Sequence, residues 1–376
     1  MERMRIIVAA TNDLATDQRL KRHCGTLNAE GYDILLTGRL LPGSLPLDDR
    51  PYKTRRVKHW FNKGFLFYAE TNARLFVFLL FTSFDILNSN DLDTLPACYL
   101  ASRLKRKPLV YDSHEYFTEV PELGNRKLVK RTWEKIESSI FPKLRNIITV
   151  NQHIAGAYYA KYGKEIHIVR NLPERIVIKG PDSLEAYGIP GDKKAVILQG
   201  SGINRDRGAE EAIDAISQVD NAVLIIAGSG DMIPALTQRV AEKHLRDKVI
   251  FIPLMPYSRL MGLTRLCDAG LSLDRDTSLN YRYSLPNKLF DYIMAGIPVV
   301  ASPLPEVRKI VEGYGTGVLI RNHAPEEIAE KINTVLYIKP KTKWKGALDK
   351  AAGELNWDHE KHKLLDIYNL LRKTGS

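Results

Sequence analysis

Apolar residues gather along this chain in short, strand-like blocks separated by longer stretches with helical spacing. In the first half the apolar blocks fall at residues 5–10, 33–37, 85–87, 108–111 and 146–150. They are rich in Ile, Val and Leu without strict alternation, the mark of strands buried on both faces of a parallel sheet. Helix-like segments lie between them, at roughly 17–31, 94–105, 127–140 and 152–161. The second half repeats the arrangement. Its strands are at 195–198, 222–227, 249–252, 269–273, 298–301 and 317–320, and its helices near 208–217, 231–244, 257–266, 287–295, 305–312 and 325–337. Strand–helix alternation of this kind predicts open, doubly wound α/β sheets with helices on both faces.

Two such halves meet near Ile168-Val-Arg-Asn-Leu-Pro-Glu174, with a polar stretch, Lys179-Gly-Pro-Asp-Ser183, just beyond. The expected organisation is a first domain over 1–172, completed by a last helix within 355–376, and a second domain over 173–354. After residue 339 a lysine-rich connector leads to that helix, on which Leu364, Leu365, Ile367, Tyr368 and Leu371 share one face. Ligands of doubly wound sheets bind at the carboxyl ends of the strands, so the expected site is a cleft between the two sheets.

Composition narrows the classes. With 376 residues, 44% apolar and 26% charged, the chain is not a disordered, collagenous or disulfide-scaffold protein. Cys24, Cys98 and Cys267 are scattered and form no Cys-x-x-Cys pair, so neither a disulfide framework nor a zinc site is expected, and a reducing cytoplasm is the expected compartment. The first residues run into a strand pattern with no leader-like segment. The densest apolar run, Leu75-Phe-Val-Phe-Leu-Leu-Phe81, covers about 11 Å as a helix, against the ~30 Å of a hydrocarbon core, so no membrane span is expected.

The net charge of +11 is concentrated at one end: residues 1–170 carry 27 basic and 18 acidic side chains. Clusters at Arg55, Arg56 and Lys58, at Arg103, Lys105, Arg106 and Lys107, and at Arg126, Lys127, Lys130 and Arg131 fit nucleic acid, an anionic membrane surface or a phosphorylated substrate, or are simply solvated. Trp60-Phe-Asn-Lys-Gly-Phe-Leu-Phe-Tyr68 lies beside the first cluster. Basic residues next to aromatic ones suit a protein resting on an anionic leaflet, although a buried helix with basic flanks explains the same letters.

The most informative segment is Tyr281-Arg-Tyr-Ser-Leu-Pro-Asn-Lys-Leu-Phe-Asp-Tyr-Ile-Met-Ala-Gly-Ile-Pro-Val-Val-Ala-Ser302. A loop ends at Pro286-Asn287, a helix carries Lys288 and Asp291, and Gly296 closes it before a strand. Free N–H groups at that helix start suit a phosphate. Lys288 in the first turn opposes the helix dipole, a cost that an anionic ligand offsets. Asp291, one turn on, is placed to accept hydrogen bonds from a ribose diol; an acid there also stabilises the helix dipole with no ligand at all.

This segment resembles the donor-site signature of retaining glycosyltransferases of the GT-B fold, family 4 type. The resemblance implies two Rossmann-like domains facing across a cleft, with a C-terminal helix crossing back to the first. It also implies a UDP- or GDP-linked nucleotide sugar as donor, and no metal or other cofactor. Asp291 matches the signature's second acid, which holds the donor ribose, while Tyr283 stands where the family has its first acid, the one that contacts the donor sugar. Ser284, Asn287 and Lys288 fall at the diphosphate. Leu198-Gln-Gly-Ser-Gly-Ile-Asn-Arg-Asp-Arg-Gly208 resembles the family's diphosphate loop: Arg207 takes its lysine position, Ser201 stands in place of its arginine, and Gly200 and Arg205 belong to the same loop. Asp112-Ser-His-Glu115 resembles the segment whose histidine, here His114, steadies the donor sugar as the catalytic group. Asp17, Arg19, Asn90, Asp91 and Glu115 fall on the acceptor side, Asn90-Asp-Leu-Asp93 as a polar loop. Asp91-x-Asp93 and Asp274-x-Asp276 match a short metal-binding pattern, but the resemblance gives neither that role.

The expected function is therefore transfer of a sugar from a nucleotide sugar to a saccharide or lipid-linked acceptor, in envelope or polysaccharide assembly, by a cytoplasmic protein peripheral to the membrane. A nucleotide-sugar epimerase or hydrolase keeps the fold and changes the reaction. A non-catalytic membrane- or nucleic-acid-binding module explains the basic half, but no nucleic-acid motif supports it. A dehydrogenase ranks lower still, because Gly200-x-Gly202 and Gly228-x-Gly230 each lack the third glycine of a dinucleotide fingerprint.

Overall fold

A computed structural model of the chain describes residues 3–124, 126–175 and 183–374. It divides into two compact units, one of residues 1–171 with 360–376, the other of residues 172–359. Of the polar stretch at the junction, residues 179–182 lie outside the described residues.

In the first unit the order is β1 (Arg5–Asp13), α1 (Gln18–Ala29), β2 (Asp33–Arg39), β3 (Lys53–Val57), α2 (Gly64–Phe81), β4 (Ile86–Asn90), α3 (Asp91–Lys105), β5 (Leu109–Ser113), α4 (Pro121–Gly124), α5 (Lys127–Ile140), β6 (Asn146–Thr149), α6 (Gln152–Tyr162) and β7 (His167–Ile168). The strands form one parallel sheet in the order β3-β2-β1-β4-β5-β6-β7. Strand order reverses between β1 and β4, and ligands favour the carboxyl ends of strands at such a switch point.

The second unit runs β8 (Lys194–Gly200), α7 (Ala209–Ile216), β9 (Ala222–Gly228), α8 (Ile233–Glu242), β10 (Val249–Pro253), α9 (Tyr257–Leu266), β11 (Ala269–Ser272), α10 (Leu279–Arg282), α11 (Asn287–Ala295), β12 (Val299–Ala301), α12 (Pro305–Tyr314), β13 (Gly317–Leu319), α13 (Pro325–Asn333) and α14 (Lys345–Glu354). Its parallel sheet has the order β10-β9-β8-β11-β12-β13, with the switch between β8 and β11. Val196, Ile197, Leu224, Ile225, Leu271 and Val300 are fully buried within it. The last helix, α15 (Trp357–Thr374), belongs to the first unit from Glu360 onward. There Leu364 and Tyr368 are wholly buried, Tyr368 accepts a 2.6 Å hydrogen bond from Asn88, and Glu360 takes the Arg170 guanidinium at 2.8 Å.

Several elements depart from the sequence reading. The run at 75–81 is only the end of α2, an 18-residue helix long and apolar enough to cross a membrane. It is nonetheless the crossover between β3 and β4 of one sheet, and Phe67, Thr71, Leu75 and Leu79 face inward as it packs on α3. Both its ends are thus tied to the same sheet, which a spanning helix cannot satisfy. The basic cluster at 55–56 is part of an edge strand, β3, where lysine and arginine discourage pairing with other chains. The lysine-rich connector passes into α14, which was not expected. Asn90-Asp-Leu-Asp93 is no loop: α3 starts at Asp91, directly after β4.

Candidate functional site

In the second unit, positive side chains converge at the β8/β11 switch point. β8 ends at Gly200, and the loop beyond it lies against the loop after β9. Gly228, at φ +135°, approaches Gly200 so closely that a Cβ there would stand 1.8 Å from the Gly200 carbonyl oxygen. That contact explains the Gly228-x-Gly230 turn as packing. Ser201 and Arg205 are exposed on the β8–α7 loop, and Arg207 is half-buried before Gly208 opens α7.

Asp274, two residues past β11 and fully buried, holds two cations. Its Oδ1 accepts from Arg207 Nη1 at 2.9 Å, and its Oδ2 lies 3.3 Å from Lys288 Nζ. The Arg207 guanidinium also rests 4.3 Å above the centre of the Tyr281 ring. Burial alone pushes the Asp274 carboxyl upward, but Lys288 and Arg207 outweigh it and hold it below the usual carboxylate range. For Lys288 burial dominates and depresses the ammonium despite Asp274. Both carboxylates of Asp274-x-Asp276 are thereby engaged by cations, since Asp276 takes Arg282 at 2.9 Å.

Lys288 projects from the first turn of α11, where Pro286 is the N-cap and makes no side-chain cap bond. Asn287 is exposed at the first helical position, and Ser284 sits in the turn before it, its Oγ buried without a hydrogen-bond partner. Tyr283 is the C-cap of α10. Asp291, 9% exposed, accepts 2.7 Å from the Tyr257 hydroxyl and 3.1 Å from the Gln199 amide, and Thr264 braces that amide at 2.6 Å. Its carboxylate is therefore held rigidly at the carboxyl end of β8. Tyr257 and Gln199 escaped the sequence reading, and Asp274 was seen there only in a short metal-binding pattern, because each reaches its partner through the tertiary fold.

The first unit has its own cluster beside its switch point, with the opposite charge order. His114, just past β5, lies between two carboxylates: Nδ1 is 3.4 Å from Asp91 and Nε2 is 3.4 Å from Asp112. Nε2 is also 3.2 Å from Asn90 Oδ1. Burial disfavours an imidazolium, but Asp91 and Asp112 outweigh it and raise the pKa to about 9. Asp91 is at φ +58°, a left-handed conformation that costs a non-glycine residue about 1–3 kcal/mol and is commonest at functional sites. That backbone lets its Oδ1 also accept the His114 N–H at 2.8 Å. Asp93, one residue beyond Leu92, accepts from the Thr11 hydroxyl; burial first and Asp91 second push its pKa up to about 7.

Three expectations change here. Arg19 does not face an acceptor: it is buried, with Nη2 on Asp112 at 2.7 Å and Nη1 on the Val169 carbonyl at 2.9 Å. It positions Asp112, which in turn positions His114. Asp17 caps α1, its Oδ1 accepting the Leu20 N–H and its Oδ2 the Asn12 amide, so a helix start uses its carboxylate. Asn90 is buried, bridging the Ala9 carbonyl and Asn88. Glu115 is exposed on the loop after β5.

Two doubly wound parallel sheets, one carrying a cation pair at its switch point under a helix N-terminus, define the GT-B class of fold. Residues 183–345 match the family model described as Glycosyl transferases group 1, and residues 18–172 match Glycosyltransferase Family 4. The chain belongs to this glycosyltransferase family. It is 22% identical to the chitobiosyldiphosphodolichol beta-mannosyltransferase of Kluyveromyces lactis, over 95% of this chain and 90% of that one. Among solved structures it resembles a sucrose-phosphate synthase of Thermosynechococcus elongatus, with a TM-score of 0.79, 15% identity and 99% of each chain covered. It also resembles Anabaena Alr3699/HepE in complex with UDP and glucose, with a TM-score of 0.73, 16% identity and again 99% of each chain.

Proposed function

We propose that the protein transfers a glycosyl group, with retention and without a metal, from a UDP- or GDP-linked sugar to a saccharide or lipid-linked acceptor. The observation that carries this reading is the pairing of Arg207 and Lys288 on one buried carboxylate beneath the α11 N-terminus. Two cations against one anion leave a net positive site, and the helix amides add to it. A departing nucleoside diphosphate develops negative charge as its bond to the anomeric carbon breaks. Cations already held in place stabilise that charge without reorganising, which is the work a metal does elsewhere. Ser284, Asn287 and the loop of Gly200, Ser201 and Arg205 line the same phosphate site. Asp291 accepts from the ribose diol, and His114, kept charged by Asp91 and Asp112, donates to a hydroxyl of the donor sugar.

The complex of Alr3699/HepE with UDP and glucose supports a nucleotide donor, and the diphosphodolichol in the yeast relative's name supports a lipid-linked acceptor. Three buried, unbridged cysteines suit a reducing cytoplasm. Calorimetric titration with UDP and GDP, with chelator present, tests the donor site. One nucleotide is expected to bind, at least roughly tenfold more weakly to Asp291→Ala, the loss of a charge-assisted hydrogen bond or more. Failure of both nucleotides to bind the native protein would overturn the reading. The anomeric coupling of the product then reports retention, and product formed without acceptor would mark a hydrolase.

A further inference from the structure

α2 presents two opposite stripes. Phe67, Thr71, Leu75 and Leu79 are buried. On the outer side Phe65, Ala69, Ala73, Val77 and Phe81, spaced four apart, are all exposed, and every one is apolar. Phe65 is 77% and Phe81 88% exposed. The apolar surface extends through Leu66 in the first turn of α2 and, in the preceding loop, through Phe61 and Trp60, the last 83% exposed. Large apolar side chains so exposed over a helix about 27 Å long exceed the scatter of single surface residues.

The charge around the stripe has one sign. Residues 53–82 contain Lys53, Arg55, Arg56, Lys58, Lys63 and Arg74 against a single acid, Glu70. That acid is turned inward: its carboxylate accepts the backbone N–H groups of Trp60 and Phe61 at 3.0 Å and pairs with Arg74 at 2.7 Å. Glu70 therefore fixes the loop that displays Trp60 while hiding its own charge. Arg55 lies over the Phe78 ring at 4.1 Å. With Arg74, Val77 and Phe81 it borders a groove of about 460 Å³ whose floor is apolar and whose rim carries two guanidinium groups.

We infer that this face of α2, with the 58–63 loop, docks the protein flat on the surface of an anionic phospholipid leaflet. Aromatic and aliphatic side chains enter the headgroup boundary, and the surrounding lysines and arginines meet lipid phosphates. Charge complementarity selects this occupant over a second copy of the chain, because a symmetric pair would oppose two like-charged stripes. Two positions named from the sequence contribute less than their letters suggest, since Lys105 bonds the Thr82 carbonyl and Lys107 pairs with Asp85. The inference rests on the first unit's surface and stands apart from the donor-site reading.

Trp60 supplies its own reporter, because Trp133, Trp344 and Trp357 are buried. Full-length protein is mixed with vesicles of phosphatidylcholine alone or with roughly one-third phosphatidylglycerol. Flotation is expected with the anionic vesicles only, weakened by salt and by roughly fivefold for each of Arg55→Gln and Lys63→Gln. Emission is expected to shift to the blue and to be quenched by lipids brominated on the acyl chain. Phe65→Ser with Phe81→Ser, checked for native circular dichroism, is expected to lose both signals. Absence of flotation with either vesicle overturns the inference, as does flotation without quenching. A concentration-dependent dimer that this double variant abolishes, with no lipid binding, assigns the stripe to self-association instead.

Discussion

The two units place opposite charge arrangements at equivalent points of their sheets. In the first, one cation, His114, is held between the carboxylates of Asp91 and Asp112. In the second, one carboxylate, Asp274, is held between the cations Arg207 and Lys288. The central group in each case is fixed by its flanks, and the flanks set the net sign that a ligand meets. The second arrangement is net positive and suits a diphosphate. The first, where Arg19 also pairs with Asp112, offers a fixed, charged N–H donor whose flanking carboxylates are balanced, suited to a neutral hydroxyl rather than to another anion.

The comparison breaks most decisively at the supports. Arg19→Met leaves Asp112 buried without its guanidinium, and urea unfolding is expected to show a loss of about 3–5 kcal/mol. A change below 1 kcal/mol would mean that Asp112 is held by other groups. Next in size, Lys288→Ala removes half of the second unit's cation pair. Transfer rate under saturating donor, measured where the variant is fully folded, is expected to fall about 10²–10³-fold. An unaltered rate would separate the cation pair from catalysis.

Titration sharpens the contrast further. Followed by NMR, His114 is expected to lose its proton near pH 9, and well below that in Asp91→Asn. Because its folded pKa lies above its ordinary 6.5, the stability it contributes is full below pH 6.5 and is lost as pH rises through about 9. Asp93 supplies the converse case, its folded pKa raised from 3.8 to about 7. Keeping its proton stabilises the fold at low pH, and that advantage fades as pH climbs from about 4 to 7. Asp93→Asn is therefore expected to gain stability relative to the native chain across that interval; a constant difference would assign the burial cost elsewhere.

What was legible in the sequence follows from physical range. The six strands of the second sheet announce themselves as short apolar runs, five of them carrying Val or Ile, and α11 by Pro286 and Gly296 at its ends. β3 did not, because Lys53-Thr-Arg-Arg-Val57 is an edge strand with polar letters. α2 was hidden by apolar residues on both faces, which leave no helical period to detect. Arg207, Lys288 and His114 could be named from local motifs. Their pairings could not: Arg207 meets Asp274 across 67 positions, and Arg19 meets Asp112 across 93. Arg19 and Asp17 were drawn toward the acceptor by their motif, whereas burial and helix capping decide what they do.

The return of α15 to the first unit has a consequence for biosynthesis. Tyr368 bonds Asn88 and Glu360 bonds Arg170, so the N-terminal half lacks part of its interior until residues near 371 have left the ribosome. The second unit, which ends at residue 359, has no such wait. Although domains usually mature in order of synthesis, here the half made first is the one completed last. While translation continues, the groove awaiting Leu364 and Tyr368 stays open, and that is the interval in which the nascent chain most needs protection from aggregation.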